Sequence, residues 1–135
     1  METLAGQSAS RSMTVTPEIV AKYAELTGDH NPLHFDEEFT SNTRFKRLVS
    51  QGGIAVGLLH ALVAMDLPGA GTVFTEQHWV FPAPVYIGDT ITATGTITEW
   101  VAERHRGKMD FVIVNQDGAE VLTGSTGVYQ AVPKA

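Results

Sequence analysis

Residues 27–34, Thr-Gly-Asp-His-Asn-Pro-Leu-His, bring a carboxylate, an amide and two imidazoles into eight positions. Asp29 and His34 matter most, because a carboxylate beside an imidazole can act as general acid and base on a bound water or substrate. Pro32 fixes its own φ and favours an extended Asn31, so the two side chains can converge across the loop. The alternative is structural, with Asp29 and Asn31 capping the loop and His34 packing in the core.

Other catalytic and metal-binding patterns fit this chain poorly. His30 and His34 have the spacing of zinc ligands on a helix, but Pro32 lies between them and no acidic residue follows the first histidine, so we predict no metal site. Ser125 lacks the Gly-x-Ser-x-Gly turn of serine hydrolases. The chain has no cysteine, which excludes thiolate catalysis and cysteine-based zinc sites. The glycines at 52, 53 and 57 match neither a phosphate loop nor a dinucleotide motif, and we expect no cofactor.

The composition predicts one ordinary globular domain. The 135 residues are 43% hydrophobic and 18% charged, which favours a single domain over residues 1–135 with flexible ends at 1–6 and 132–135. The net charge of −6 argues against a nucleic-acid partner. Residues 1–12 do not look like a secretory signal, and the apolar run 54–65 is too short to cross a membrane. We therefore expect a cytoplasmic protein without a membrane partner.

Hydrophobic periodicity predicts helices early in the chain and strands late. Thr16 and Pro17 have the types expected at the start of a helix, and Gly28 is suited to end it. A strand over 7–15 precedes this helix, and a short helix over 36–42 follows it. Residues 52–65 are apolar on nearly every side, which is typical of a buried helix. Four further strands are predicted at 72–81, 90–103, 109–116 and 120–131, with turns at 106–107 and 117–118 between the last three.

This order predicts an α+β protein with a hot-dog fold, in which a curled antiparallel sheet wraps around a long buried helix. The first residues of that helix, Gly52 and Gly53, would present backbone N–H groups to a negatively charged oxygen, or would simply allow close packing. His60 follows eight residues later on roughly the same face. It could contact a ligand or be an ordinary core residue.

The run from Tyr23 to Asp36 resembles the signature of the MaoC-like, or (R)-specific enoyl-CoA hydratase, family. That signature reads Ser/Thr-Gly-Asp-x-Asn-Pro-Leu/Ile-His-x-Asp, and nearly every position is matched. The resemblance continues through the basic residues at 44–47, the glycine-rich helix start, and the Phe-x-x-Pro-Val-x-x-Gly-Asp pattern at 81–89. It covers roughly residues 13–130.

The resemblance implies a hydro-lyase of fatty acid metabolism that adds water to a trans-2-enoyl-CoA and gives a (3R)-3-hydroxyacyl-CoA, or catalyses the reverse dehydration. It implies a homodimer or a dimer of dimers. In this family Asp29 and His34 would hold the water and move protons, and the backbone N–H of Gly52 would stabilise the enolate-like oxygen. Asn31 would orient the loop. Two other functions stay open. The protein could be a hot-dog acyl-CoA thioesterase, or it could be a non-catalytic acyl-CoA-binding or assembly module.

Three positions near the predicted substrate depart from the family pattern. Gln51 stands where relatives carry histidine, and an amide cannot exchange a proton near neutral pH. Gly53 replaces a bulkier residue, and His60 replaces a small one, so both would change the acyl pocket.

The cations Arg44, Lys46 and Arg47 are our choice for binding the phosphates of CoA. The second basic group, 104–108, is interpreted as a solvated loop.

Overall fold

The computed structural model describes residues 3–134. Residues 1, 2 and 135, which belong to the predicted flexible ends, lie outside the described range. Within the N-terminal end, Gly6 donates a backbone hydrogen bond to the carbonyl of Ile97 at 2.7 Å, and Leu4 packs against the core. The helices are α1 (Pro17–Thr27), α2 (Glu37–Ser41) and α3 (Gly52–Met65), and the strands are β1 (Ser8–Thr14), β2 (Thr72–Val80), β3 (Thr90–Val101), β4 (Arg106–Val114) and β5 (Glu120–Gln130).

The five strands form one antiparallel sheet in the order β1-β3-β4-β5-β2. Alternating residues of β3 and β4 point inward, as period-2 patterning requires, and meet the apolar side of α3. The buried residues of α3 are Ile54, Ala55, Leu58, Leu59, Leu62 and Val63. The predicted α+β architecture with a sheet around a central helix is confirmed.

The sheet covers α3 on one side and leaves the opposite side open. Gly57 and His60 are exposed on that open side, while Leu59 and Leu62 are completely buried. The apolar sequence of α3 predicted burial on most of its surface, and this is correct apart from the open side. A single curved layer cannot enclose a whole helix, so some of its apolar surface faces outward.

The turn between β3 and β4 differs from the prediction. Arg106 and Gly107 were expected to form it, but they belong to β4 and pair with Val101 and Trp100. A 3₁₀ turn over Ala102–Arg104 reverses the chain instead. Glycine is needed at position 107 for close packing and not for a turn, because a Cβ there would overlap the backbone oxygen of Glu99.

The connection between β2 and β3, residues 81–89, is irregular but firmly held. Asp89 is buried and accepts hydrogen bonds from the backbone N–H of Tyr86 and the side-chain amide of Gln116, both at 2.9 Å. Gly88 adopts a left-handed φ of 102° that suits glycine. This Gly-Asp pair therefore fixes a segment that forms one wall of the site described below.

Across residues 3–134, the structure has no helix with the length and apolarity to cross a membrane.

Candidate active site

Asp29 and His34 converge as their spacing predicted. His34 Nε2 lies 3.7 Å from Asp29 Oδ1, and the histidine side chain is 7% exposed against 42% for the aspartate. This separation exceeds a direct hydrogen bond. The buried ring therefore faces a carboxylate that is open to solvent.

The second ring nitrogen determines the tautomer of His34. Nδ1 lies 2.6 Å from the backbone oxygen of Val49. Because a carbonyl oxygen can only accept, Nδ1 must carry the proton. In the neutral ring, Nε2 then presents a lone pair towards Asp29.

Short-range hydrogen bonds hold the loop that carries the pair. Gly28 ends α1 with a left-handed φ of 81°, and the Asp29 N–H donates to Thr27 Oγ1 at 3.2 Å. The Asn31 N–H donates to Asp29 Oδ1 at 3.3 Å. The Asn31 side chain caps the 3₁₀ turn Pro32–His34 by accepting from the Leu33 N–H at 3.1 Å. The structural reading of Asp29 and Asn31 is thus correct in part, and it is compatible with a chemical role for the same aspartate.

A cleft of about 430 Å³ opens beside His34. Its size suits a small-molecule site. Most of its walls are apolar, and Phe81, Pro82, Ala83 and Pro84 of the β2–β3 connection form one side. The cleft residues on the other side come from 44–55 and include Ser50, Gln51 and Gly52.

The first residue of α3, Gly52, brings a backbone N–H to this cleft. Gly52 is exposed, lines the cleft, and lies against the ring of Phe81, since a Cβ on Gly52 would be 3.3 Å from Phe81 Cε1. Among residues 3–134, neither Gly52 nor Gly53 donates its N–H to a backbone acceptor. Such free N–H groups are expected at a helix N-terminus and favour a negatively charged oxygen.

Gln51 and Gly53 face α1 rather than the centre of the cleft. Gln51 is 2% exposed, and its Nε2 donates to the carbonyl of Val20 at 3.1 Å, while its Oε1 has no partner among the described residues. Gly53 contacts the Tyr23 hydroxyl and does not line the cleft. The structure therefore brings Gln51 to the cleft wall and places Gly53 behind it.

The remaining predicted binding residues separate into two groups. Arg44 lines the cleft, and the Arg47 guanidinium lies 3.9 Å from the ring centre of Tyr86, which is also a cleft residue. Lys46 is exposed and does not line the cleft, and the same is true of His60. The His60 ring packs edge-on against Phe74, with the ring centres 4.7 Å apart.

Sequence reasoning missed three residues of this region: Phe81, Tyr86 and Tyr23. Phe81 and Tyr86 lie within the Phe-x-x-Pro-Val-x-x-Gly-Asp pattern at 81–89, so the motif is a usable signal for the cleft wall. Tyr23 begins the run that resembles the family signature, but nothing in its local sequence indicates the contact with Gly53. No cluster of three or more metal-ligating side chains occurs within residues 3–134.

Comparison with known proteins identifies the fold and then the family. A solved (R)-hydratase from A. caviae involved in PHA biosynthesis superimposes with a TM-score of 0.88 over 97% of this chain and 98% of that one, at 32% identity. The two chains therefore share the hot-dog fold. The family model for the MaoC like domain matches residues 3–119. The chain therefore belongs to the MaoC-like family, as its loop motif predicted.

Two curated relatives are named (R)-specific enoyl-CoA hydratase. The protein from Rhodospirillum rubrum is 39% identical over 99 residues, which cover 73% of this chain and 69% of that one. The protein from Aeromonas caviae is 33% identical over 123 residues, which cover 91% and 92% of the two chains.

Proposed function

We propose that this protein is a hydro-lyase that reversibly hydrates a trans-2-enoyl-CoA to a (3R)-3-hydroxyacyl-CoA. The family membership and the names of the two relatives support this reaction class. The observation that carries the mechanism is the 3.7 Å approach of Asp29 to His34, whose ring lines a largely apolar cleft that Asp29 itself does not line.

The pair is suited to hold a water molecule. Ionised Asp29 and the unprotonated Nε2 of His34 can both accept hydrogen bonds, and neither can donate one to the other. A water that donates to both would have its oxygen about 2.8 Å from each acceptor. Its lone pairs would then face outward, towards a substrate in the cleft.

Hydration then proceeds through two proton transfers, both made by the pair. The water oxygen bonds to C3 as the pair accepts one water proton, and the C2=C3 electrons move towards the thioester oxygen. The N–H of Gly52 donates to that oxygen while it carries enolate charge. The pair returns a proton to C2, which completes the 3-hydroxyacyl thioester and restores the acid–base pair. Asn31 keeps the loop in position by capping the turn that carries His34.

The cleft and its cations support a CoA thioester as the substrate. Apolar walls suit an acyl chain, while Arg44 and Arg47 lie at or next to the cleft and can bind phosphate. Lys46 adds charge to the same segment. Gln51 lines the wall. Gly53 and His60, which lie outside the cleft of the single chain, would act on the substrate only indirectly.

A homodimer is part of the proposal. β2 is an edge strand that pairs only with β5 in the described chain, and Val80 at its end is 62% exposed. Open edges of this kind are commonly covered by another strand. Sedimentation should give at least twice the 14.5 kDa chain mass, and Val80→Lys should shift the protein towards monomer. We also propose that the reaction takes place in the cytoplasm.

The decisive experiment is a hydration assay on crotonyl-CoA, followed by loss of the enoyl absorbance with chiral analysis of the product. A (3R)-hydroxy product without free thiol supports the proposal. Release of free CoA, detected with a thiol reagent, would identify a thioesterase instead. Binding of acyl-CoA without turnover on any enoyl-CoA or enoyl-carrier substrate would identify a binding module.

A further inference from the structure

We propose that Tyr23 is a positioning residue whose ring, packed on Gly53, sets Asp29 relative to the first N–H groups of α3. This inference rests on the proposed function, because it concerns the two halves of the same site. Tyr23 is half-buried on α1 and lines no part of the cleft. It therefore acts through its neighbours rather than on the substrate.

The contact between Tyr23 and Gly53 leaves no space for a side chain at position 53. A Cβ placed on Gly53 would overlap the Tyr23 hydroxyl and lie 2.5 Å from Cζ and 3.1 Å from Cε2. Both the ring and the hydroxyl thus fill the volume that a side chain would need. Any side chain at position 53 would therefore require Tyr23 to move, so the glycine and the tyrosine are matched in size.

A second contact joins the same two helices on the other side of Gly52. The Gln51 amide donates to the carbonyl of Val20, which lies one helical turn before Tyr23 on α1. Residues 51 and 53, on either side of the proposed oxyanion donor, are therefore both held against α1. We therefore expect a movement of α1 to be transmitted to Gly52, which lies between these two residues.

Tyr23 is also linked to the acid–base pair through its backbone. Its carbonyl accepts a hydrogen bond from Thr27 Oγ1 at 2.7 Å, and Thr27 Oγ1 accepts from the Asp29 N–H at 3.2 Å. One residue thus contacts the α3 N-terminus with its side chain and supports Asp29 with its carbonyl. Reaction rates are sensitive to errors of about 1 Å in such arrangements, which can cost roughly 10²-fold.

Four variants test this coupling: Tyr23→Ala, Tyr23→Phe, Gly53→Ala and the double variant Tyr23→Ala with Gly53→Ala. We expect Tyr23→Ala to lower kcat by about 10- to 100-fold while KM changes by less than about twofold, since ground-state binding is untouched. Tyr23→Phe keeps the ring and should recover most of the rate. Gly53→Ala should lower kcat in the tyrosine protein and much less in the Tyr23→Ala background, because the overlap is then gone.

Leu26→Ala is the matched control, since Leu26 is on the same helix and 84% exposed. Its kcat should equal that of the wild type. The proposal is overturned if Tyr23→Ala keeps the wild-type kcat, if it changes KM alone, or if the effects of the two alanine substitutions simply multiply. Tyr23→Leu, which retains apolar volume, replaces Tyr23→Ala in these comparisons if the alanine protein does not fold.

Hydrogen–deuterium exchange separates failure of this inference from failure of the proposed function. Tyr23→Ala should speed amide exchange in residues 27–34 and at the start of α3, whereas Tyr23→Phe and Leu26→Ala should leave both segments unchanged. If the wild type hydrates no enoyl thioester, the reaction class is wrong and this exchange pattern still decides the coupling. If the wild type is active and exchange in both segments is unaltered by Tyr23→Ala, the coupling is wrong.

Discussion

The loop 27–34, which contributes His34 to the cleft, and the first turn of α3, which contributes Gly52, are held in place by different kinds of contact. Loop geometry comes from hydrogen bonds between residues two to four positions apart, such as Asp29 to Thr27 and Leu33 to Asn31. The α3 turn depends on partners about thirty residues away in sequence, Val20 and Tyr23. His34 joins the two regions, because its ring binds the carbonyl of Val49 just before α3.

The two regions should therefore tolerate different kinds of substitution. Most of the loop's hydrogen bonds join its own residues, and the Thr27 hydroxyl ties it to the Tyr23 carbonyl of α1, so substitutions that leave α1 in place should leave the shape of the loop unchanged. The α3 turn has no such independence, since its position is set by tertiary packing. A substitution at Gln51 or Gly53 should therefore be tolerated only when its partner on α1 can adjust.

The largest predicted effect lies in the loop. Asp29→Asn and His34→Gln should each lower kcat for enoyl-CoA hydration by roughly 10²- to 10⁴-fold, since each removes an acid–base group. His30→Gln is the control, because His30 is an exposed neighbour on the same loop. Steady-state kinetics on crotonyl-CoA measures all three. If Asp29→Asn and His34→Gln both keep the wild-type rate, the two residues are not the acid–base pair of the reaction.

The next effect tests the α3 turn. Gly52→Pro removes one N–H at a helix position where proline is tolerated, and the extended backbone of Gln51 (ψ 136°) is compatible with a following proline. We expect a loss of about 10²- to 10³-fold in kcat, the usual value of one oxyanion donor. Gly52→Ala keeps the N–H and adds a comparable contact with Phe81, so it serves as the control. Equal losses in both variants would mean that Phe81 packing, not the N–H, is responsible.

A smaller effect measures how strongly the loop supports itself. Asn31→Ala removes the cap of the 3₁₀ turn and should lower the free energy of unfolding by about 0.5–2 kcal/mol. Asn31→Ser retains an oxygen that can accept the same bond and should lose less. Urea denaturation of the three proteins gives these values. An alanine variant as stable as the wild type would show that the turn does not need its cap.

The smallest effect concerns binding of the CoA phosphates. Arg44→Ala and Arg47→Ala should each raise KM by up to about fivefold, because a single exposed ion pair contributes roughly 0.2–1 kcal/mol. The increase should shrink at high salt, where exposed charges are screened. Arg104→Ala, in the basic group interpreted as solvated, should leave KM unchanged. A larger effect at Arg104 would indicate that the CoA phosphates bind near the turn between β3 and β4 instead.

Much of the fold was predictable because the relevant signals are local. Thr16 and Pro17 start α1, Gly28 ends it, and alternating apolar residues mark β3 and β4. The turn before β4 was placed wrongly because Gly107 is a glycine for lack of space beside Glu99, and no short-range signal distinguishes that role from a turn. The loop motif predicted both the family and the convergence of Asp29 and His34.

The sequence by itself determined the α+β architecture, because periodicity and capping act over a few residues, and its loop motif indicated the MaoC-like family and allowed Asp29 to approach His34. The tertiary structure alone decided that the Gln51 amide binds Val20, that Tyr23 fills the space beside Gly53, and that His60 faces outward on the open side of α3. These outcomes depend on how one curved sheet and two helices share a limited volume.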